Sequence, residues 1–262
     1  MDSECVVILG MHRSGTSALA GVLQQLGVDF GNDLVGATPA NPKGHFELTA
    51  AVRMNDHLLR RVFGARWKTP FHLPTRWRDA VDLKALATEY QLELPAGNPC
   101  GLKDPRICRL VPVWKELLEA RGLRASFILM LRRPDEVSAS LAARDGLSPK
   151  DARALWVEHV CAAERATRDS NRTLVTYEAL LQDTNAVVKR LGEFLKLPAI
   201  SVEKRSAISE FLDRELRHHV HENGASREAF DLADRLYSSS RNFDEGEMSA
   251  IVDAGLADSR RS

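Results

Sequence analysis

The octet Gly10-Met11-His12-Arg13-Ser14-Gly15-Thr16-Ser17 constrains this chain more than any other feature. Val6-Val7-Ile8-Leu9 before it is a short β-branched apolar run that reads as a buried central strand; after it Leu19, Val22, Leu23 and Leu26 recur at helical spacing up to Gly27. Strand, tight loop and helix together present unpaired backbone N–H groups and the positive end of a helix dipole at one point, and such a point binds phosphate. Gly10 and Gly15 let the backbone close on the anion. The spacing is that of the G-x-x-x-x-G-K-[ST] loop of nucleotidases, except that Thr16 stands at the lysine position. That lysine reaches the β- and γ-phosphates, so its replacement argues against ATP or GTP turnover. The cation sits instead at Arg13, inside the loop, where its shorter reach suits a single 5′-phosphate.

A second cationic element is Leu131-Arg132-Arg133-Pro134, where the apolar strand 125–131 ends in two arginines. A nucleotidase more often places an aspartate there to hold Mg²⁺; no metal is expected in this chain. Ser140 follows about two turns into the helix that Pro134 opens, so an arginine fork and a serine hydroxyl can share a phosphate. Alone, arginines at a strand end are equally well explained as a solvated rim. Two such elements in one chain describe a nucleotide with phosphates at both ends.

The remaining pattern alternates strands with helices. Residues 29–44 read as a loop, a helix is expected from Glu47 to Phe63, and 64–82, with Trp67 and Trp77, is irregular and long enough to be functional. Strands are expected at 101–103 and 173–176, and helices through Leu110–Leu118, through 149–160 after the Ser148 cap, and through Val187–Leu195. The fold class is therefore α/β, a P-loop-like three-layer α/β/α domain with a central parallel sheet. Residues 1–262 are expected to form one domain, in which 199–262 is a helical C-terminal extension with frayed last residues.

Lys plus Arg and Asp plus Glu both number 36, so no global field draws the chain to nucleic acid or an anionic membrane, and any anion site must be local. Cys5, Cys100, Cys108 and Cys161 are too widely spaced for a zinc cluster and read as reduced, buried thiols. No apolar run is long enough to span a membrane, and the expectation is a cytoplasmic protein, with a homodimer left open. His218-His219-x-His221 reads as a solvated helix end rather than a metal site, and Trp114 and Trp156 read as core.

On the loop Arg13-Ser14-Gly15-Thr16-Ser17, the element Arg132 to Ser140 and the run Val175-Thr176-Tyr177-Glu178, the sequence resembles the sulfotransferases that use 3′-phosphoadenosine 5′-phosphosulfate (PAPS), especially the bacterial ones. The resemblance covers residues 6–198 and implies PAPS as donor and 3′,5′-bisphosphoadenosine (PAP) as product, with the sulfuryl group passing to a hydroxyl of a glycan, glycolipid or small natural product. It further implies that Thr16 and Ser17 hold the 5′-phosphate, Arg132 and Ser140 the 3′-phosphate, and that Tyr177 lies near the adenine. Many cytosolic members carry lysine where this chain has Arg13, which can stabilise charge but is a poor proton donor. Lys103, in a K-D-P-R element of the bacterial branch, is expected to add a second cation, unless it simply pairs with Asp104.

For the base that takes the acceptor proton, Glu47 is favoured because related carbohydrate sulfotransferases use a glutamate; His45 is the alternative. His12 is expected to orient backbone or to pack, and Trp67 and Trp77 are candidate acceptor contacts. Two other readings stand: an ATP-dependent P-loop kinase with a degenerate loop, and a non-catalytic nucleotide-binding module.

Overall fold

A computed structural model of the chain describes residues 3–38, 41, 44–216, 232–241 and 245–259. Four strands, β1 (Glu4–Leu9), β2 (Cys100–Lys103), β3 (Arg124–Leu131) and β4 (Asn171–Thr176), pair in parallel in the order β2-β1-β3-β4. A parallel sheet must be covered on both faces, and the period of two along each strand does this. Cys5, Val7 and Leu9 of β1 enter one apolar cluster with Phe127, Leu129 and Leu131 of β3, while Val6 and Ile8 enter another with Ile128 and Met130.

Helices α4 (Val111–Glu119) and α6 (Pro149–Thr167) complete the first cluster with Trp114 and Trp156, both fully buried as expected. Helices α1 (Thr16–Leu26) and α8 (Thr184–Phe194) complete the second through Leu19, Val22, Leu23, Val187 and Leu191. The result is the expected three-layer α/β/α arrangement of P-loop-like folds. Further along the chain, α9 (Val202–Leu216) adds Ile208 and Leu212 to the second cluster. Helices α10 (Leu232–Arg241) and α11 (Glu245–Ser259) add Leu236, Tyr237, Met248 and Val252 to the first. No described helix is long and apolar enough to cross a membrane. His218, His219, His221 and the last residues lie outside the described residues.

Strand order positions the site. The connection after β1 leads to β2 on one side, whereas the one after β3 leads to β4 on the other, so the crevice beyond the C-terminal ends of β1 and β3 is a topological switch point. The loop 10–17 follows β1 and Arg132 follows β3.

The helical connections differ from the sequence expectation in two places. The helix expected from Glu47 to Phe63 is α2 (Thr49–His57) followed by a π-helical turn, Leu58–Val62, in which the Phe63 N–H bonds the Leu58 carbonyl at 3.0 Å. The wider turn buries the adjacent Leu58 and Leu59 together. A further helix, α3 (Leu83–Glu89), is capped by Asp82 and buries only Leu86 and Ala87, a stripe too short for periodicity to reveal.

Candidate active site

The loop after β1 turns through left-handed backbone at Arg13 (φ 70°) and Gly15 (φ 85°), so that Gly15 caps α1 with no side-chain bond to its first N–H groups. Those donors stay available to an anion, as at other helix N-termini that bind phosphate. A Cβ at Gly15 would lie 2.3 Å from the Tyr177 ring, and one at Gly10 would lie 2.6 Å from the Met130 carbonyl oxygen, so both positions need glycine for space. Tyr177 opens α7 (Tyr177–Gln182) at the end of β4; the Arg132 guanidinium stacks on its ring at 4.6 Å. Arg132 also donates to Glu136 at 2.6 Å, and the Trp156 indole N–H donates to its carbonyl at 3.1 Å. Across the crevice the Arg13 Nε–H donates to Ser140 Oγ at 2.8 Å, joining the loop to α5 (Pro134–Asp145).

The other wall comes from β2 and from the segment before α2. Lys103, the last residue of β2, is 2% exposed, and its ammonium donates to Glu47 Oε1 at 2.6 Å, the His45 carbonyl at 2.9 Å and Ser17 Oγ at 3.2 Å. Asn41 Nδ2 donates to Ser17 Oγ at 2.9 Å and faces His45 Nδ1 at 3.5 Å, while His45 Nε2 meets Thr38 Oγ1 at 3.1 Å. His12 stacks on Trp67 with centroids 4.2 Å apart, and the Arg144 guanidinium lies 5.6 Å from the same indole.

Between these two walls lies a cleft of about 580 Å³, counted with its open mouth, whose lining holds Arg13, Lys103, Arg132 and Arg144, with Glu47 as the one lining carboxylate among the described residues. A chain of zero net charge has thus concentrated cations at one point. Burial pushes the Glu47 carboxyl above its ordinary range, against the opposing pull of Lys103. Burial, then Lys103, Arg144 and Arg13, lower His45, and burial followed by Arg106 lowers His12 well below its usual range, so both rings are neutral near pH 7. Burial, then Arg144 and Arg132, lower Arg13 as well.

His12, Arg13, Gly15, Thr16, Ser17, His45, Glu47, Lys103, Arg132 and Tyr177 all line the cleft. Ser14 turns inward, its buried Oγ without a hydrogen-bond partner among the described residues, and Ser140 touches the group through Arg13. Glu47 does not open a helix as expected: it lies two residues before α2, where the buried ammonium of Lys103 rather than a helix dipole balances it. Lys103 does not pair with Asp104, which is fully buried and accepts from the Arg106 N–H and Nη1 on one oxygen and from Asn55 Nδ2 on the other. Trp77 is a core residue, 4% exposed, rather than an acceptor contact. Trp67 stays at the cleft through His12 and Arg144, on a stretch pinned by Arg109, whose guanidinium donates to the carbonyls of Arg66 and Thr69.

Two polar lining residues escaped sequence reasoning. Arg144 could have been found, since it lies one helical turn beyond Ser140 on the same face of α5. Asn41 gave no such signal, because its partners Ser17 and His45 come together only in the folded chain.

A profile described as the sulfotransferase family matches residues 5–201. No curated protein matches the chain. Among solved structures, the sulfotransferase domain from the Synechococcus PCC 7002 olefin synthase is 14% identical, covering 92% of this chain and 95% of that one with a TM-score of 0.47. The sulfotransferase domain from the curacin biosynthetic pathway is 15% identical (92% and 98% covered, TM-score 0.47). A mouse sulfotransferase complexed with PAP is also 15% identical (85% and 70% covered, TM-score 0.42). With three quarters of its length matched by the profile, on the loop and strand ends described above, the chain belongs to the sulfotransferase family.

Proposed function

We propose that the protein transfers the sulfuryl group of PAPS to an acceptor hydroxyl, of a glycan, a glycolipid or a small natural product. One observation carries this reading: two cationic elements, the loop after β1 and the arginine after β3, are tied by the Arg13–Ser140 hydrogen bond across a switch-point crevice. The fit of a 5′-phosphosulfate to the loop is supported by the uncapped start of α1 and by glycines that a Cβ would crowd. In this reading the loop N–H groups, Thr16 and Ser17 hold the 5′-phosphate, Arg132 and Ser140 the 3′-phosphate, and Tyr177 borders the adenine.

PAPS supplies an activated sulfuryl group. The acceptor oxygen forms a bond to sulfur as the bond from sulfur to the phosphate oxygen breaks; PAP leaves with that electron pair, and the acceptor proton passes to a base. Arg13 and the loop donors stabilise charge on the departing phosphate, each worth about 2–4 kcal/mol when preorganised and shielded from water. Glu47 is the base favoured by its raised carboxyl, and His45, neutral beside it, is the alternative. A kinase reading is disfavoured by Thr16 at the lysine position and by Asp104, the carboxylate after β2, whose oxygens are occupied by Arg106 and Asn55.

The test is turnover: the protein is incubated with PAPS and a panel of sugar and natural-product hydroxyls, and PAP release is followed. Acceptor-dependent PAP release that Arg13→Ala abolishes supports the reading. Consumption of Mg-ATP without consumption of PAPS would replace it with the kinase reading, and PAP binding without turnover of any acceptor would replace it with a non-catalytic module.

A further inference from the structure

The Lys103 ammonium has three N–H bonds, and all three are directed at protein acceptors: Glu47 Oε1, the His45 carbonyl and Ser17 Oγ. An ammonium so engaged has no further donor to offer a ligand without breaking one of these bonds. Ser17 Oγ in turn accepts from two groups, Lys103 Nζ at 3.2 Å and Asn41 Nδ2 at 2.9 Å. A hydroxyl oxygen has two lone pairs and one proton. With both acceptor positions filled, the proton is the only bond Ser17 has left to make, and Ser17 lines the cleft at the start of α1.

We infer that Lys103 and Asn41 are positioning residues that act through Ser17: together they lock its hydroxyl as a donor to the bound anion, and Lys103 couples that donor to Glu47 and to the backbone of His45. The inference rests on reading the cleft as the PAPS site, and it changes the role expected of Lys103. Lys103 does not touch the leaving group. It reaches the group through one serine, and it joins the loop that holds the donor substrate to the segment that carries the base. A free Ser17 hydroxyl could rotate and accept as readily as donate; a locked one meets the anion with its proton already aimed, so no reorganisation is needed on binding.

A double-mutant cycle read by calorimetric titration with PAP tests this. Lys103→Met and Asn41→Ala should each weaken PAP binding, by about tenfold and about threefold for loss of a charge-assisted and a neutral hydrogen bond. In a Ser17→Ala background neither Asn41→Ala nor the charge-balanced pair Lys103→Met/Glu47→Gln should weaken it further, because the hydroxyl through which they act is gone; Lys103→Met alone also withdraws a positive charge from the cleft and is read against that pair. Losses that persist there with Asn41→Ala or with the charge-balanced pair would overturn the inference, since they would mean an action on the ligand that does not pass through Ser17. Because Lys103→Met leaves Glu47 buried without its partner, the cycle is repeated with Lys103→Met/Glu47→Gln, which removes both charges; Asn41→Ala, outside the buried ion pair, provides an arm independent of folding. The unmodified protein separates the two levels: failure to bind PAP at all would remove the donor reading beneath the inference, whereas normal binding with additive losses would remove the inference alone.

Discussion

The two walls of the cleft are built by different means. The wall proposed to hold the donor, the donor wall, consists of strand ends and what directly follows them: Gly10 to Ser17 after β1, Arg132 after β3 and Tyr177 after β4, cross-linked by the Arg13–Ser140 bond and by Arg132 stacked on Tyr177. The facing wall is carried by connections, Asn41 with residues 44–47 and the stretch around Trp67, which side-chain bonds from Lys103 and Arg109 tie to the sheet and to its flanking elements. Strand ends at a switch point are held by the sheet and by both apolar clusters, so a shared nucleotide can be recognised by fixed geometry. Connections can vary without disturbing the core, which suits the wall proposed to face the acceptor.

The largest effect expected comes from breaking the donor wall at its tightest point. Gly15→Ala sets a Cβ against the Tyr177 ring and strains a left-handed residue, and it should lower PAP affinity by about 100-fold or more in titration while thermal stability falls by only about 1–2 kcal/mol. An unchanged affinity would mean that the anion does not depend on this loop.

Next comes the proposed base. Glu47→Gln should reduce kcat by about 100-fold with PAP affinity within a few-fold of normal, a split that sharpens the division between walls. The raised carboxyl of Glu47 sets the sign of the pH dependence: kcat/KM should fall as pH drops through a value above the ordinary 4.5, and Glu47→Gln should remove that acid limb. If His45→Asn removes the limb instead, His45 is the base.

A smaller effect belongs to Trp67. Trp67→Ala should raise the acceptor KM by about fivefold, the loss of one aromatic face, and leave PAP affinity unchanged. Equal losses on both sides would make Trp67 a support for His12 and the loop rather than an acceptor contact.

The smallest effect on activity, and a separate one on stability, concerns His159 beneath the loop. Its ring is fully buried near Arg109, and burial lowers its pKa to about 3. Because the folded value lies below the unfolded one, the unfolded chain takes up the proton first, so stability present above pH 6.5 is lost as pH falls toward 3. Between pH 6.5 and 5 this is about 2 kcal/mol, and denaturant titrations should find that slope reduced in His159→Leu.

The same contrast governs what the sequence revealed. The donor wall was legible because its residues are contiguous: a loop between a β-branched strand and an amphipathic helix, then an arginine and a serine on one short strand-to-helix element. The sheet was legible for the same reason, since β1 and β3 carry the continuous apolar runs Cys5 to Leu9 and Phe127 to Leu131. The facing wall was not. Lys103 meets Glu47 across 56 residues of chain, and only folding reveals that it pairs there rather than with its neighbour Asp104. Trp77 carries the same local signature as Trp67, yet one is core and the other borders the cleft, because exposure is decided by packing in the folded chain and not by flanking residues.

The most direct test of the donor reading is a calorimetric titration of the protein with PAP, with AMP and Mg-ATP as controls, repeated on an Arg132→Ala/Ser140→Ala variant. Tight PAP binding, weaker AMP binding and a loss of about 100-fold or more in the variant would agree with two phosphate sites, one at each end of the nucleotide. Mg-ATP binding more tightly than PAP, or PAP binding unaffected by the double substitution, would contradict it.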